Sequence, residues 1–226
     1  MVDPDPPREP APWLVVFDLD GTLTRRDTLT GYVFGLLARH PGRWWRVLGV
    51  LPALLRFGLG RADHGELKGA LLHAALGGLS RAQIARWTER YVPRLIRRGM
   101  FAEGLAEVGR HRDAGHHLVL MSATVDLYVP AIATALGFDE WVCSRVCWQG
   151  DQLDGRLDGP NIRDREKTRC LRELIARFPR RRVMGYGNSQ PDLDHLRLVD
   201  KAVLVNAGKR LRQAAVNLPV DFKTWI

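Results

Sequence analysis

The stretch Trp13-Leu14-Val15-Val16-Phe17-Asp18-Leu19-Asp20-Gly21-Thr22-Leu23-Thr24 decides the fold. Its first five residues are apolar without alternation, as a strand covered on both faces requires. The run stops at Asp18, and a second carboxylate follows two residues later. A loop at this point can aim Asp18 and Asp20 into one cavity. Gly21 permits the turn and leaves its N–H for an anion.

Three further apolar runs have the same form. His117 to Met121 ends in Ser122, Arg182 to Tyr186 ends in Gly187-Asn188-Ser189, and Ala202 to Val205 ends in Asn206. Helical patterns over Phe101–Ala114, Arg165–Phe178 and Asp192–Leu198 precede them in turn. This alternation predicts an α/β fold with a Rossmann-like parallel sheet between two helical layers. Ligands in such sheets lie beyond the carboxyl ends of the strands. Asp18, Ser122 and Asn188 stand at those ends, so three distant segments are expected to converge.

Residues 27–99 interrupt the alternation. They read as an all-helical insertion broken at Pro41-Gly42, Pro52, Gly58–Gly60, Gly77-Gly78 and Pro93. A flexible leader is expected over residues 1–12, and a core from 13–26 and 100–226. The Gly- and Asp-rich stretch from Gln149 to Pro160 suggests a hairpin or a turn-rich connection. Gly99 and Gly104 would permit a hinge near residues 25–28 and 99–104.

Composition excludes several classes. Of 226 residues, 46% are hydrophobic and 26% charged, so there is enough apolar surface to offset the ordering entropy of a folded chain. The 34 Lys and Arg against 25 Asp and Glu leave a net charge of +9, which favours anionic partners: phosphorylated metabolites, nucleic acid or acidic lipid. No module for reading nucleic acid is evident, so nucleic acid is not expected among the partners. Cys143, Cys147 and Cys170 are odd in number and contain no CxxC, against a disulfide framework or zinc ribbon. They read as free thiols, with Cys143 and Cys147 on one face of a strand. His116-His117 opens a strand and reads as structural, and Tyr186 as packing against the sheet or the insertion. No signal-peptide layout and no window of spanning length occur, which predicts a cytoplasmic protein.

With the motif DLDGTLT (18–24) in place, the chain resembles the haloacid dehalogenase-like superfamily. Three more family motifs match in order: Leu120-Met121-Ser122-Ala123-Thr124, then Lys167 in Asp164-Arg165-Glu166-Lys167, then Gly187-Asn188-Ser189-Gln190-Pro191-Asp192. Singly, Ser122 and Lys167 would be a loop serine and a surface lysine; four motifs in sequence are specific. The resemblance runs from about Trp13 to Ala207. It implies hydrolysis of a phosphate monoester through an aspartyl-phosphate, with Asp18 as nucleophile and Asp20 as acid and base. It places Ser122, Ala123, Lys167 and Gly21 on the phosphoryl oxygens. Mg²⁺ is the implied cofactor, held among Asp18, the Asp20 carbonyl, Asn188 and Asp192.

One position departs from the pattern. Phosphoserine phosphatase-like relatives carry an Asp where Asn188 stands, and Asn keeps the oxygen but loses the charge. Either Asn188 is a neutral ligand with Asp192 supplying charge nearby, or the metal site is impaired and the chain is a non-catalytic binding module. Retention of Asp18 and Asp20 favours the first.

The insertion resembles the C1 cap of the phosphoserine phosphatase-like subfamily, which closes over the site and selects substrate. The resemblance places Asp27 at the substrate amino group and Lys68 where the family has an Arg for a carboxylate. Both depart from the phosphoserine pattern, because Asp is shorter than the family's Glu and Lys lacks the Arg fork. Asp27 equally suits the N-cap of a helix. From Thr28 to Ala62 there is no acidic residue, while Arg39, Arg43, Arg46, Arg56 and Arg61 alternate with Trp44, Trp45, Phe34, Phe57 and leucines. Arg beside Trp on an apolar helix suits peripheral contact with an anionic membrane. The segment is similar in this to the phosphatidylglycerophosphatase C branch, which implies a lipid phosphate substrate at the inner membrane face. A small soluble phosphomonoester is the alternative. The sequence leaves the oligomeric state open.

Overall fold

The computed structural model describes residues 12–226. The leader expected over residues 1–12 therefore lies, except for Pro12, outside the described residues. The chain runs β1 (Leu14–Phe17), α1 (Thr28–Leu37), a 3-10 helix (Pro41–Val50), α2 (Leu51–Gly58), α3 (His64–Leu76), α4 (Arg81–Gly99), α5 (Ala102–Asp113), β2 (His117–Val125), α6 (Val129–Leu136), β3 (Glu140–Ser144), β4 (Val146–Gln149), β5 (Gln152–Leu157), α7 (Arg165–Arg177), β6 (Val183–Gly187), α8 (Asp192–Leu196), β7 (Lys201–Val205), α9 (Lys209–Ala214) and β8 (Val220–Lys223).

Six strands form one sheet in the order β3-β2-β1-β6-β7-β8, and every pair is parallel. The unbroken apolar runs explain this. In β1, Val15 and Phe17 enter one core while Leu14 and Val16 enter the other. In β2, Leu118 and Leu120 oppose Val119 and Met121 in the same way. Leu171 and Leu174 of α7 cover the second face; Val108 of α5 and Ile132 of α6 cover the first. The three-layer α/β expectation is met.

The connections run outward from β1 on one side and from β6 on the other. The crevice past the carboxyl ends of β1 and β6 is thus the switch point where ligands bind in open sheets. Asp18 follows β1 and Asn188 follows β6 directly.

Two strands of the six-stranded sheet lie outside the four apolar runs. In β3, Trp141 is exposed and the others are mostly half-buried, so no continuous run marks it. β8 is a four-residue edge strand, also largely exposed. The small antiparallel hairpin β4–β5 turns at Gly150 and covers 146–157 rather than 149–160. It places Cys143 in β3 and Cys147 in β4, so the two do not share a strand face. All three cysteines are free, and burial pushes the Cys143 thiol up to about 12.

Between β1 and α5 the elements are all helices joined by short connections, parted near Pro41, Pro52, Gly58–Gly60 and Gly77-Gly78; the expected break at Pro93 is absent, since α4 runs through it from Arg81 to Gly99. The segment's two connectors to the sheet are bonded to each other: Arg25 N–H donates to the Gly99 carbonyl at 2.8 Å, and Phe101 N–H to Leu23 at 3.0 Å. Gly104 is no hinge. It lies within α5, where a Cβ would come 2.9 Å from the Trp225 ring.

Candidate active site

Asp18, at the end of β1, is buried. Its Oδ2 accepts from the Thr22 hydroxyl at 2.8 Å and its Oδ1 from Lys167 Nζ at 2.7 Å. Lys167 projects from the first turn of α7 and also donates to Asp192 Oδ1 at 2.8 Å. One ammonium thus serves two buried carboxylates. Lys167 holds Asp192 well below the usual carboxylate range, and the two carboxylates hold Lys167 above the usual lysine range. Asp18 is pushed upward, by burial first and then by the charge of Asp192, against the pull of Lys167.

Asp192 is fully engaged by protein donors. Its Oδ2 accepts from the Asn188 N–H (3.2 Å), the Ser189 N–H (3.0 Å) and the Ser189 hydroxyl (2.5 Å). It stands behind Lys167 and the loop after β6, supplying charge from close by instead of offering a free oxygen. Asp192, one of the residues expected around the metal, is here bonded to Lys167 and to the loop after β6. Asn188 is placed differently. Its Oδ1 lies 3.2 Å from the Thr22 hydroxyl that also reaches Asp18, so the two side-chain oxygens converge.

Gly21 has a steric role at this turn. Its φ of +81° is the left-handed region that favours glycine, and a Cβ there would fall 2.1 Å from Asn188 Nδ2. Its N–H turns toward Thr24 Oγ1 at 3.4 Å. Gly21 makes room for Asn188.

Asp20 Oδ1 accepts from the Thr28 N–H at 2.7 Å, at the start of α1. Burial, reinforced by the neighbouring Asp27 carboxylate, pushes Asp20 up to about 7. Such a group exchanges a proton near neutrality. Asp27 caps α1, accepting from Thr30 N–H at 2.6 Å, so its carboxylate is committed to the helix.

Ser122 lies within β2, not at its end. The strand continues to Val125, but its pairing with β1 stops at Leu120 and its register with β3 jumps from Met121 to Val125. Ser122, Ala123 and Thr124 therefore bulge out of the ladder, as strands do where they aim residues into a site. The Ala123 carbonyl accepts from Lys68 Nζ and, at 2.9 Å, from the Ser144 hydroxyl. Lys68 also donates to Asn161 Oδ1 at 2.5 Å. Burial pulls Lys68 down to about 8, while Asp20 and Asp27 oppose the fall. α3 is thereby bonded directly to the loop of Ser122.

The sequence reading passed over several participants. Thr22 joins Asp18 to Asn188. Asn161 and Ser144 brace Lys68 and the Ala123 carbonyl. Tyr128 joins Thr28 and Thr124 through its hydroxyl, at 3.0 and 2.5 Å. Thr22 and Thr124 lie inside motifs; Ser144, Asn161, Thr28 and Tyr128 are common residues joined mainly across long stretches, 17 positions for Ser144 and Asn161 and 100 for Thr28 and Tyr128. His117 bonds Glu140 at 2.8 Å and Tyr186 stacks on Phe17 at 4.2 Å, both structural.

Asp18, Asn188 and the Asp20 backbone offer oxygen donors only. Among the described residues, no group of three His, Cys, Asp or Glu is set as a metal cluster. Such a set suits a hard cation that keeps much of its water, not a softer metal.

An open parallel sheet with an acidic centre at its switch point, neutralised by one buried lysine, defines a class of α/β proteins that handle anionic groups. The chain belongs to the haloacid dehalogenase-like hydrolase family, which it matches over residues 15–197. It is 33% identical over 196 residues to the protein CicA of Caulobacter vibrioides, covering 84% of each. It is 26% identical to a "Probable phosphatase" of Mycobacterium tuberculosis, over 88% of this chain and 70% of that one. In structure it is similar to a Bordetella pertussis protein of unknown function, with TM-score 0.76, 22% identity and coverage of 94% and 98%. It is also similar to a substrate-bound phosphoserine phosphatase, with TM-score 0.66, 16% identity and coverage of 96% and 94%.

Proposed function

We propose that this chain is a Mg²⁺-dependent phosphomonoester hydrolase that works through a phosphorylated Asp18, with a lipid phosphate as substrate. The observation that carries the reaction is the pairing of a buried carboxylate on Lys167 and Thr22 with a second carboxylate poised near pH 7 on the same loop.

A carboxylate oxygen of Asp18 attacks phosphorus, and the bond from phosphorus to the leaving oxygen breaks. Asp20, protonated in part at neutral pH, gives its proton to that oxygen, which departs as an alcohol. The Asp20 carboxylate then takes a proton from water. The resulting hydroxide attacks phosphorus, releases inorganic phosphate and frees Asp18. The Ser122 hydroxyl, the amides of the bulge and Lys167 hold the phosphoryl oxygens and balance their charge. Asp18, the Asp20 carbonyl and Asn188 would hold Mg²⁺, which when bound neutralises phosphoryl charge and orients the ester.

In this reading residues 27–99 are a cap that closes on the core, and Lys68 is its contact with the Ser122 loop. The lipid part rests on the outer surface of that segment. Trp45, Leu48 and Leu51 are spaced by three along the 3-10 helix, and Leu51, Leu55 and Leu59 by four along α2 and its end. Each spacing matches its own helix period, so the five positions form one stripe. These side chains are 57–70% exposed. Among the described residues no helix is long and apolar enough to cross a membrane, so the stripe suits contact at a membrane surface. The basic character is smaller than the sequence suggests. Arg43 and Arg46 turn inward and donate to the carbonyls of Ala75 and Gly77 at the end of α3.

The test is Mg²⁺-dependent phosphate release from phosphatidylglycerophosphate in mixed micelles, beside O-phosphoserine and an aryl phosphate, with Asp18→Asn as control. Preferred, Asp18-dependent turnover of the lipid is expected. Turnover of soluble esters alone would remove the lipid reading and keep the mechanism. No turnover of any of them would contradict the phosphatase reading.

A further inference from the structure

A groove of about 690 Å³ runs along the length of α1 where it packs on α4. The helices are antiparallel there: a Cβ on Gly31 would meet the Tyr91 hydroxyl, and one on Gly35 the Trp87 ring. With those side chains missing, Tyr91 and Trp87 form an aromatic floor. Both are locked from below, since Tyr91 donates to the Thr28 carbonyl at 2.8 Å and Trp87 Nε1 to that of Tyr32 at 3.1 Å.

The rim is strongly cationic. Arg25, Arg26, Arg39, Arg94 and Arg98 line it against a single carboxylate, Asp27, which already caps α1. Arg39 stacks over Trp87 at 4.6 Å, and Arg25 donates to the Ile226 carbonyl at 2.8 Å. Arg26, Arg94 and Arg98 are exposed and close one end of the groove. None of Asp18, Asp20, Ser122, Lys167 or Asn188 lines it. Phe34, which lines the groove, stacks on Trp44 at 5.9 Å, and Trp44 directly precedes Trp45, the first residue of the apolar stripe.

We propose that this groove is a second binding site, separate from the catalytic centre, and that it takes the phosphodiester headgroup of an anionic membrane phospholipid while the stripe lies among the acyl chains. The chemistry follows from the lining. Guanidinium forks pair with phosphate oxygens, and the aromatic floor covers the apolar glycerol side of the headgroup. The charge selects anionic over zwitterionic lipid. The site rests on reading the stripe as a membrane contact, and it gives that contact a lipid preference and an orientation.

The test is co-sedimentation of the full chain with vesicles of phosphatidylcholine, with or without roughly one-third phosphatidylglycerol. Arg94→Ala with Arg98→Ala is compared with Arg90→Ala with Arg97→Ala, an equal charge change on the same helix outside the groove. Circular dichroism checks the fold of each, and hydrolysis of an aryl phosphate reports on the catalytic centre independently. The expected result is preferential binding to anionic vesicles, weakened about thirtyfold by the groove pair and a few-fold by the other. Soluble glycerol phosphate at millimolar concentration should not release the protein, because the stripe still holds it. Equal weakening by both pairs would overturn the site and leave only diffuse surface charge. Release by glycerol phosphate would reassign the groove to a free anion. Failure of the wild-type chain to bind either vesicle would overturn both groove and stripe, and a surviving aryl phosphatase activity would show that the catalytic reading stands apart.

Discussion

The Tyr128 hydroxyl lies 3.0 Å from the Thr28 hydroxyl, and this bond ties the helix that holds Asp20 to the strand that carries Ser122. Thr28 steadies Asp20 through its N–H, while Tyr128 reaches Thr124 on the other side at 2.5 Å. Asp20 and the bulge of Ser122–Thr124 are therefore set against one another by a buried chain of three hydroxyls.

Removing the middle hydroxyl tests that relationship. Tyr128→Phe keeps the packing and leaves two buried threonine hydroxyls short of a partner, a cost on the order of 1–3 kcal/mol. A roughly tenfold fall in kcat with little change in KM is expected, because geometry and not affinity is disturbed. The measurement is steady-state kinetics on an aryl phosphate across pH. Wild-type kcat in Tyr128→Phe would reduce Tyr128 to a packing residue.

At position 188 the expectation concerns the metal. Asn188→Asp adds a carboxylate beside the oxygens of Asp18, and Coulomb attraction should keep or tighten Mg²⁺ binding, read by titration calorimetry. The same charge should lower the melting temperature of the Mg²⁺-free chain, since Asp18 and Asp192 are already buried nearby. Weaker Mg²⁺ binding in this variant would remove Asn188 from the donor set.

Stability should fall on acidification through a buried histidine that is not among the candidate site residues. His111 bonds His116 Nδ1 and the Tyr186 hydroxyl, each at 2.8 Å, and Tyr186 donates onward to Glu107. Burial, with the nearby cationic groups, pulls His111 down to about 4. In the unfolded chain it takes its proton near its ordinary value of 6.5. Between these values the unfolded state binds more protons, so stability drops as pH falls through that window. His195, pulled down to about 3, acts in the same direction. Urea midpoints at several pH values should show this slope, and His111→Gln should flatten it in part. An unchanged slope in that variant would contradict the assignment.

The stripe predicts a substrate-dependent defect. Trp45→Ser, Leu48→Ser and Leu55→Ser together should lower the ratio of lipid to aryl phosphate turnover at least tenfold, given the apolar area withdrawn from the contact. An unchanged ratio would dissociate the stripe from lipid handling.

Much of this architecture was legible in the chain because parallel strands buried on both faces write themselves as unbroken apolar runs. Val15 and Val16 face opposite cores, yet both must be apolar. β3 and β8 lacked that signature, being partly exposed at or near the sheet edges. The motif residues Asp18, Lys167 and Asn188 could be found by order and spacing. Thr28, Tyr128, Ser144 and Asn161 could not, since their roles arise from hydrogen bonds between distant segments. The stripe was hidden for another reason: its spacing changes from three to four where the 3-10 helix passes into α2. Arg43 and Arg46 read as surface charges, and only the fold turns them onto the end of α3.

Asp18 is expected to become phosphorylated during turnover. The most direct measurement is acid quench of the enzyme mixed with Mg²⁺ and a phosphate monoester, followed by peptide mass spectrometry. A phosphoryl group on the peptide containing Asp18, absent from Asp18→Asn and lost on longer incubation as substrate runs out, is the expected result. Phosphate release with no phosphorylated peptide, or with the group on another residue, would contradict it.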